Sequence, residues 1–167
     1  MTDTLDLRSL APTFERKITW IDGTEYSIRE IDDLTEAEFI TLLADEQQSG
    51  SLPISEQHEM QKRHMQMMVV IPRPAAISND LQEGDIVYAV SAGNVERAAV
   101  VSVDGSLVFS PPWSDAASVI RAYRAIRRSE IDNLTERQFM GALTFVKTPP
   151  KKDGDKEGSE RPPIAVS

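Results

Sequence analysis

The sequence predicts an α+β protein made of two small β-hairpin-plus-helix modules, mostly helical, with a disordered C-terminal tail. Three observations predict this fold. Asp-Gly dipeptides at 22–23 and 104–105 each lie between β-prone runs, which is a strong hairpin signal because Gly accepts a positive φ. The segments EIDDLTEAEFITLL at 30–43 and EIDNLTERQFMGAL at 130–143 match at 8 of 14 positions. The end of the chain is rich in Pro, Gly and charge.

These signals divide the chain into four parts. We predict a flexible arm at 1–14, a first module at 15–95, a second module at 96–147 and a disordered tail at 148–167. The tail cannot bury enough apolar surface to offset the entropy of ordering it. The matched segments are explained equally well by duplication and by convergent helix capping. A stacked repeat array is disfavoured because it needs three or more copies.

The first module begins with a predicted hairpin at 17–29, and a predicted helix at 36–48 follows it. Thr35 can cap this helix because its hydroxyl can accept a hydrogen bond from the backbone N–H three residues on. Glu38 occupies the position of the reciprocal partner in a capping box. A second helix is predicted over 56–71, where a proline follows its last residue and ends it.

The segment 78–90 has two interpretations. Apolar residues at helical spacing favour a helix, which Ser78 or Asn79 can cap. Gly84 and the β-prone run IVYAV favour a strand instead. We take the helix as the prediction for this segment.

The second module repeats the order of the first. A hairpin is predicted at 97–110, then a helix that Ser114 or Asp115 caps and that ends at 128, and a last helix at 136–146. Thr135 and Gln138 occupy the same capping-box positions as in the first module. The helix that ends at 128 is inferred from apolar residues along one face at helical spacing. These residues are Val119, Ile120, Tyr123 and Ile126.

Composition narrows the classes of function. The net charge of −9 argues against unspecific binding to nucleic acid or to an anionic membrane. The absence of cysteine excludes disulfides, thiol catalysis and thiolate metal sites. No apolar run approaches the length of a membrane span, and the first residues lack the basic-then-apolar order of a secretory signal. We therefore expect a soluble, intracellular protein without a membrane partner.

No catalytic, cofactor or metal site is predicted. His58 and His64 are six residues apart, whereas two ligands on one helix face are usually four apart. The acidic stretch at 32–38 opens a helix, where negative charge is favourable in any case. No Ser/His/Asp set, phosphate-binding loop or dinucleotide glycine pattern is present. A small enzyme or nucleotide binder is thus the lowest-ranked hypothesis.

Two clusters of side chains are candidates for partner binding. The predicted helix at 56–71 is rich in methionine, whose flexible thioether suits variable apolar partners, although core packing is the favoured interpretation. The predicted helix that ends at 128 carries a basic cluster that could dock an acidic partner, against the favoured alternative of a solvated face. The candidate residues are Met60, His64, Met67, Met68, Ile71, Arg121, Arg124 and Arg128.

Over about 17–92 the predicted elements follow a definite order. A short hairpin (ITWIDGTEYSIREI) leads to a capped helix (LTEAEFITLL), and a second helix (ISEQHEMQKRHMQMMVVIP) ends in an apolar stretch and a proline. A third segment (AISNDLQEGDIVYAV) follows. This order resembles the tail assembly chaperones of long-tailed bacteriophages. Residues 97–147 depart from the family pattern. No site residue is carried over, because the family has no catalytic motif to match.

The resemblance implies a non-enzymatic protein of the host cytoplasm. Such a protein coats the tape-measure protein, keeps its apolar helices soluble, recruits tail-tube subunits and leaves before the virion is finished. Many members also exist in a longer form made by ribosomal frameshifting, and the Pro-Pro-Lys-Lys run at 149–152 is compatible with a slippery codon run. The alternative is a tail or neck adaptor protein that stays in the virion. The oligomeric state, a homo-oligomer included, is left open.

Overall fold

The structure is a computed structural model that describes residues 3–7, 13–91 and 94–149. Within these ranges the chain forms a seven-stranded antiparallel sheet and four α-helices. The strands are β1 (Lys17–Thr19), β2 (Glu25–Ile28), β3 (Val69–Arg73), β4 (Ile86–Ser91), β5 (Asn94–Val103), β6 (Ser106–Ser110) and β7 (Arg121–Ala125). The helices are α1 (Glu36–Gln48), α2 (Ile54–Met68), α3 (Arg128–Asp132) and α4 (Glu136–Lys147).

The sheet interleaves the two halves of the chain. Its strand order is β1-β2-β3-β7-β4-β5-β6, so β7 lies between β3 and β4. Val70 of β3 is opposite Ser27 of β2 on one side and opposite Ala125 of β7 on the other. The prediction of two separate, mostly helical modules is therefore wrong. A two-stranded hairpin is at best marginally stable alone, whereas one continuous sheet gives both halves a common core.

The helices pack around one end of this sheet. Because α2 runs directly into β3, the helical layer forms where β3 begins and where β2 and β7 end. There α2, α3 and α4 share one apolar core with β1, β2 and β3. Its buried members are Trp20, Tyr26, Ile28, Met65, Met68, Val69, Ile126, Ile131, Phe139, Ala142, Leu143 and Val146. This core joins residues from both predicted modules.

The predicted ends of the chain are described only in part. Phe14, at the end of the predicted flexible arm, is buried, and its ring stacks on that of Tyr123 with centroids 4.1 Å apart. The prediction of a flexible arm is therefore wrong at Phe14. The predicted disordered tail lies outside the described residues except for Thr148 and Pro149.

Both predicted hairpins and two of the predicted helices are confirmed. β1 and β2 form the first hairpin, and β5 and β6 form the second, with Gly23 and Gly105 at φ values of 88° and 82°. The helices α1 and α4 begin at complete capping boxes. In these boxes the Thr35 hydroxyl accepts from the backbone N–H of Glu38 at 3.3 Å, and the Thr135 hydroxyl accepts from that of Gln138 at 3.2 Å.

Three other predicted helices need correction. The helix predicted over 56–71 ends at Met68, and β3 begins with β-branched Val69 and Val70, which favour extended backbone. The segment 78–90 contains no helix in the structure, and its IVYAV run forms most of β4. For this segment the strand interpretation is the right one, because β5 and β7 pair with β4 on both sides.

The predicted helix that ends at 128 is also wrong. The chain there forms a 3₁₀ turn at Ala116–Ser118, then β7, and a helix only from Arg128. The RAYRA sequence of β7 has no strong β-propensity of its own. Pairing with β3 and β4 on both sides decides its conformation, so tertiary contact overrides the local preference.

The matched segments share a helix start and not a whole module. The first copy follows β2 of the first hairpin, whereas the second copy follows β7 and overlaps α3, with the β5–β6 hairpin further back. A short helical turn precedes both capped helices, Ile31–Asp33 in the first copy and α3 in the second, so the two copies differ in the position of the hairpin. This difference supports convergent capping over duplication of a hairpin-plus-helix unit.

Candidate partner-binding surface

Helix α1 carries an apolar stripe on the side that faces away from the body of the protein. Phe39, Ile40 and Leu43 form this stripe, and their exposed fractions are 37%, 58% and 43%. Residues three and four apart lie on the same side of a helix, so the three side chains are neighbours. All thirteen residues of α1 are described, and of these only Glu38 and Leu42 are buried.

The stripe lies among acidic side chains. Glu36 precedes Phe39 by three residues, and Glu46 follows Leu43 by three, so each lies one turn beyond an end of the stripe. Helix α1 contains four acidic residues and no Lys or Arg. Glu38 is buried against Arg29, and Glu46 pairs with Lys147. Exposed Glu36 is therefore the acidic group beside the stripe that complements a basic residue of a partner.

A buried ion pair holds the inner side of α1. Arg29 is fully buried, and its guanidinium donates to both carboxylate oxygens of Glu38 at 2.9 and 3.1 Å. The Tyr88 hydroxyl donates to the same carboxylate at 2.9 Å, and the Arg29 guanidinium lies 4.0 Å from the centre of the Tyr88 ring. Burial raises the pKa of Glu38, but the hydrogen bonds and charge of Arg29 outweigh it, and the pKa lies below its ordinary value.

A second polar contact joins α1 to α2 and α4. His64 Nε2 lies 2.9 Å from Asp45 Oδ2, and His64 Nδ1 lies 2.9 Å from Lys147 Nζ. The ammonium group can only donate, so Nδ1 accepts and the neutral ring donates through Nε2–H to Asp45. Lys147 also donates to Glu46 at 3.1 Å. Both ring nitrogens of His64 are thus engaged in holding helices together, which argues against a role as a general base.

The buried position of His64 predicts an acid-sensitive fold. Burial and the charge of Lys147 lower the pKa of His64 below 6.5, although the Asp45 carboxylate acts in the opposite direction. The unfolded chain therefore takes up a proton as the pH falls below about 6.5, while the folded chain does not yet do so, and the free energy of unfolding decreases. We expect urea midpoints to fall between pH 7 and pH 5. His64→Gln should flatten this slope, and His58→Gln should keep it. A midpoint that rises on acidification would contradict the prediction.

The methionine-rich cluster predicted for partner binding lies mostly in the core. Met60, His64 and Met68 are buried, with exposed fractions of 3%, 0% and 0%. Met67 and Ile71 are partly buried against the same core. Core packing, the interpretation that the sequence favours, therefore describes these side chains, and Met60, His64 and Met68 are not accessible to a partner in the folded protein.

The predicted basic helix face does not exist. Arg121 and Arg124 lie on β7, and Arg128 is the first residue of α3. Arg124 is buried, and its guanidinium donates to the backbone oxygen of Ala125 at 3.1 Å and to Glu130 at 3.3 Å. Arg128 is partly exposed and donates to carboxylates of two other helical residues. These are Glu59 and Asp132.

The α1 stripe was not predicted, although the sequence contains a signal for it. A surface helix usually confines its apolar residues to one stripe that faces the core. In FITLL at 39–43, four of five residues are apolar, so they cannot all lie on one side of a helix. The sequence did not show which of them face the core, because the contacts of Glu38 with Arg29 and Tyr88 orient the helix.

Comparisons with known proteins add no family to this description. A scan against protein-family models found no match, and the searches of curated proteins and of solved structures found none either. Within residues 3–7, 13–91 and 94–149, no three His, Asp or Glu side chains are grouped so as to hold a metal ion. None of the helices in these ranges combines the length and apolar character needed to cross a membrane.

Proposed function

We propose that this protein is a non-enzymatic assembly chaperone that binds an apolar helical segment of a partner along the α1 stripe. The observation that carries the proposal is the exposed stripe of Phe39, Ile40 and Leu43 on a helix whose opposite side is fixed by buried polar contacts. Its partner is an amphipathic helix with Lys or Arg beside its apolar residues, since exposed Glu36 lies beside the stripe and α1 contains no Lys or Arg.

The resemblance to phage tail assembly chaperones gives this partner a class. We propose that the segment belongs to a tape-measure protein and that the complex recruits tail-tube subunits in the host cytoplasm. The hairpin β1–β2 and the helices α1 and α2 support the resemblance, whereas the segment 78–90 contains no helix and ends in strand β4, so it no longer contributes to it. The alternative is a tail or neck adaptor protein that stays in the virion.

The size of the stripe suits a long partner with many similar segments. Full burial of one large apolar side chain stabilises a complex by about 1.5–3 kcal/mol, and association itself costs several kcal/mol or more. Three side chains therefore give weak binding at a single site. Several copies that bind along one chain, or one oligomer with several stripes, would gain avidity without new contacts.

Binding through the stripe is tested with a synthetic amphipathic helix that carries a leucine stripe flanked by lysines. We expect Ile40→Ser/Leu43→Ser to weaken binding about tenfold or more, since loss of about 1.4 kcal/mol is tenfold in Kd. Ile54→Ser is the matched control, because Ile54 is 73% exposed on α2, outside the stripe. Binding is measured by fluorescence anisotropy at low salt. Equal affinity for the double variant and the wild type would contradict the proposal.

The tail-assembly context is tested in infected cells. We expect a tagged chain to be recovered with the tape-measure protein during infection, and to be absent from purified virions by mass spectrometry. The Ile40→Ser/Leu43→Ser variant should lose the tape-measure protein, whereas Ile54→Ser should keep it. Detection of the chain in purified virions at a fixed ratio to tail subunits would favour the adaptor alternative instead.

A further inference from the structure

Strand β6 forms an edge of the sheet that carries no charge. Within the described part of the chain β6 pairs with β5 on one side only. Its sequence, SLVFS, contains no charged residue and no proline. Edge strands commonly carry such residues, which hinder pairing with other chains. The other edge strand, β1, has three residues and includes Lys17. Strand β6 is therefore the edge that is better suited to pair with another strand.

The register shows which backbone groups of β6 are free. Asp104 and Gly105 form a two-residue turn with φ values of 53° and 82°, which is typical of a type I′ hairpin turn. Val103 and Ser106 then form a hydrogen-bonded pair, and such pairs alternate along the ladder. The N–H and C=O groups of Ser106, Val108 and Ser110 therefore point toward β5. Those of Leu107 and Phe109 point outward, away from β5.

Contacts on the other side of β5 agree with this register. Val100 lies opposite Phe109. On the β4 side, the Val100 N–H donates to the backbone oxygen of Asp85, and the Val100 oxygen accepts from the Gly84 N–H, both at 2.8 Å. Val100 thus directs no backbone group toward β6. Outside the strand ladders, no backbone hydrogen bond among the described residues involves Leu107 or Phe109.

We infer that two copies of this chain pair through their β6 strands to form a twofold-symmetric dimer with one continuous sheet. In an antiparallel arrangement centred on Val108, Leu107 lies opposite Phe109 of the second copy. The outward N–H and C=O groups of both residues then form four hydrogen bonds across the axis. The SLVFS pattern reads polar, three apolar, polar in both directions, so the strand is complementary to itself, as a twofold interface requires.

An apolar groove beside β6 extends the interface. The groove has a volume of about 510 Å³. Ile77, Phe109, Pro112 and Trp113 contribute to its walls. The Trp113 ring lies 4.8 Å from that of Phe109, and its indole N–H donates to the Ala75 backbone oxygen at 3.4 Å, which fixes the groove wall. Val108 and Phe109 of the paired strand line this groove, so it is continuous with the proposed interface.

The interface is small, so the dimer is reversible. A strand of five residues is about 17 Å long, and its edge alone buries less than the roughly 1,200 Å² of a stable protein–protein interface. The net charge of −9 per chain opposes association at long range. Salt screens this repulsion, whereas the paired strands themselves are uncharged. We therefore expect the dimer to strengthen as the salt concentration rises.

Sedimentation velocity of the full chain over about 1–500 µM tests this inference. We expect the wild type to shift from monomer to dimer over this range, and the dissociation constant to decrease from 50 mM to 500 mM NaCl. Val108→Lys should raise the dissociation constant at least about tenfold, because it places two like charges at the symmetry axis. Val108 is 38% exposed in the single chain, so the substitution is compatible with the fold.

Val103→Lys is the matched control, since Val103 is 50% exposed in the same hairpin but lies outside the paired segment. A wild type that stays monomeric at 500 µM in 500 mM NaCl, or a dimer that Val108→Lys leaves unchanged, would overturn the inference. Peptide binding to α1 is measured on the same variants. Its retention in a monomeric Val108→Lys protein separates failure of the dimer from failure of the proposed function.

Discussion

Replacement of Arg29 with methionine is expected to lower the free energy of unfolding by about 3–5 kcal/mol. This is the usual loss when one partner of a buried ion pair is removed and the other charge stays buried. Glu38 would retain the Tyr88 hydroxyl, its capping contacts and the half-exposed Arg97 guanidinium at 4.0 Å, but it would lose both hydrogen bonds from Arg29. The measurement is urea unfolding at pH 7, followed by circular dichroism.

The matched control for Arg29 is the exposed pair of Lys62 and Asp132. Lys62→Met removes a bridge of similar length, 2.9 Å, whose partners are 25% and 49% exposed. We expect this variant to lose at most about 1 kcal/mol, since exposed pairs contribute little. Similar losses for Arg29→Met and Lys62→Met would show that Arg29 is accessible to water and would contradict the buried anchor of α1.

Leu42→Ala is expected to lower the free energy of unfolding by about 2–5 kcal/mol, the range for truncation of a buried leucine. Leu42 is 1% exposed and is the buried apolar residue of α1. Leu43→Ala is the matched control, because the same truncation at a side chain that is 43% exposed should change stability by no more than about 0.5 kcal/mol. Urea midpoints of the two variants provide the comparison.

This pair of neighbouring leucines also tests the orientation of the stripe. If Leu43→Ala proved the more destabilising change, α1 would be rotated and the stripe would face the core. The peptide-binding proposal would then lose its surface. The expected order of the two variants therefore supports both the fold of α1 and the accessibility of Phe39, Ile40 and Leu43.

The features that the sequence predicted correctly are local ones. The hairpin turns at Asp22-Gly23 and Asp104-Gly105 need only a positive φ at glycine and β-prone neighbours. The two capping boxes need a hydroxyl and an acceptor three residues apart, as at Thr35 and Glu38. Each of these interactions closes within four residues, so the amino-acid order alone specifies it.

The strands β4 and β7 could not be predicted in the same way. Tyr88 and Tyr123 are opposite each other in the sheet but 35 positions apart in the chain. RAYRA at 121–125 is compatible with helical spacing, and only the strands on both sides of β7 give its backbone groups hydrogen-bond partners. The error at 78–90 has the same cause, since β5 and β7 both pair with the IVYAV run.

The candidate surface divides in the same way between local and tertiary information. Apolar residues at 39–43 and the acidic character of α1 are properties of the amino-acid order, as is the uncharged SLVFS run of β6. The tertiary structure decided which of these residues are exposed. Arg29, directly after β2, and Tyr88 of β4, fifty residues away in sequence, bind Glu38 and turn the stripe outward. Strand β5 pairs with one edge of β6 and leaves the other edge open. The physical reason is that burial and pairing depend on partners remote in sequence, whereas turns and caps depend on neighbours.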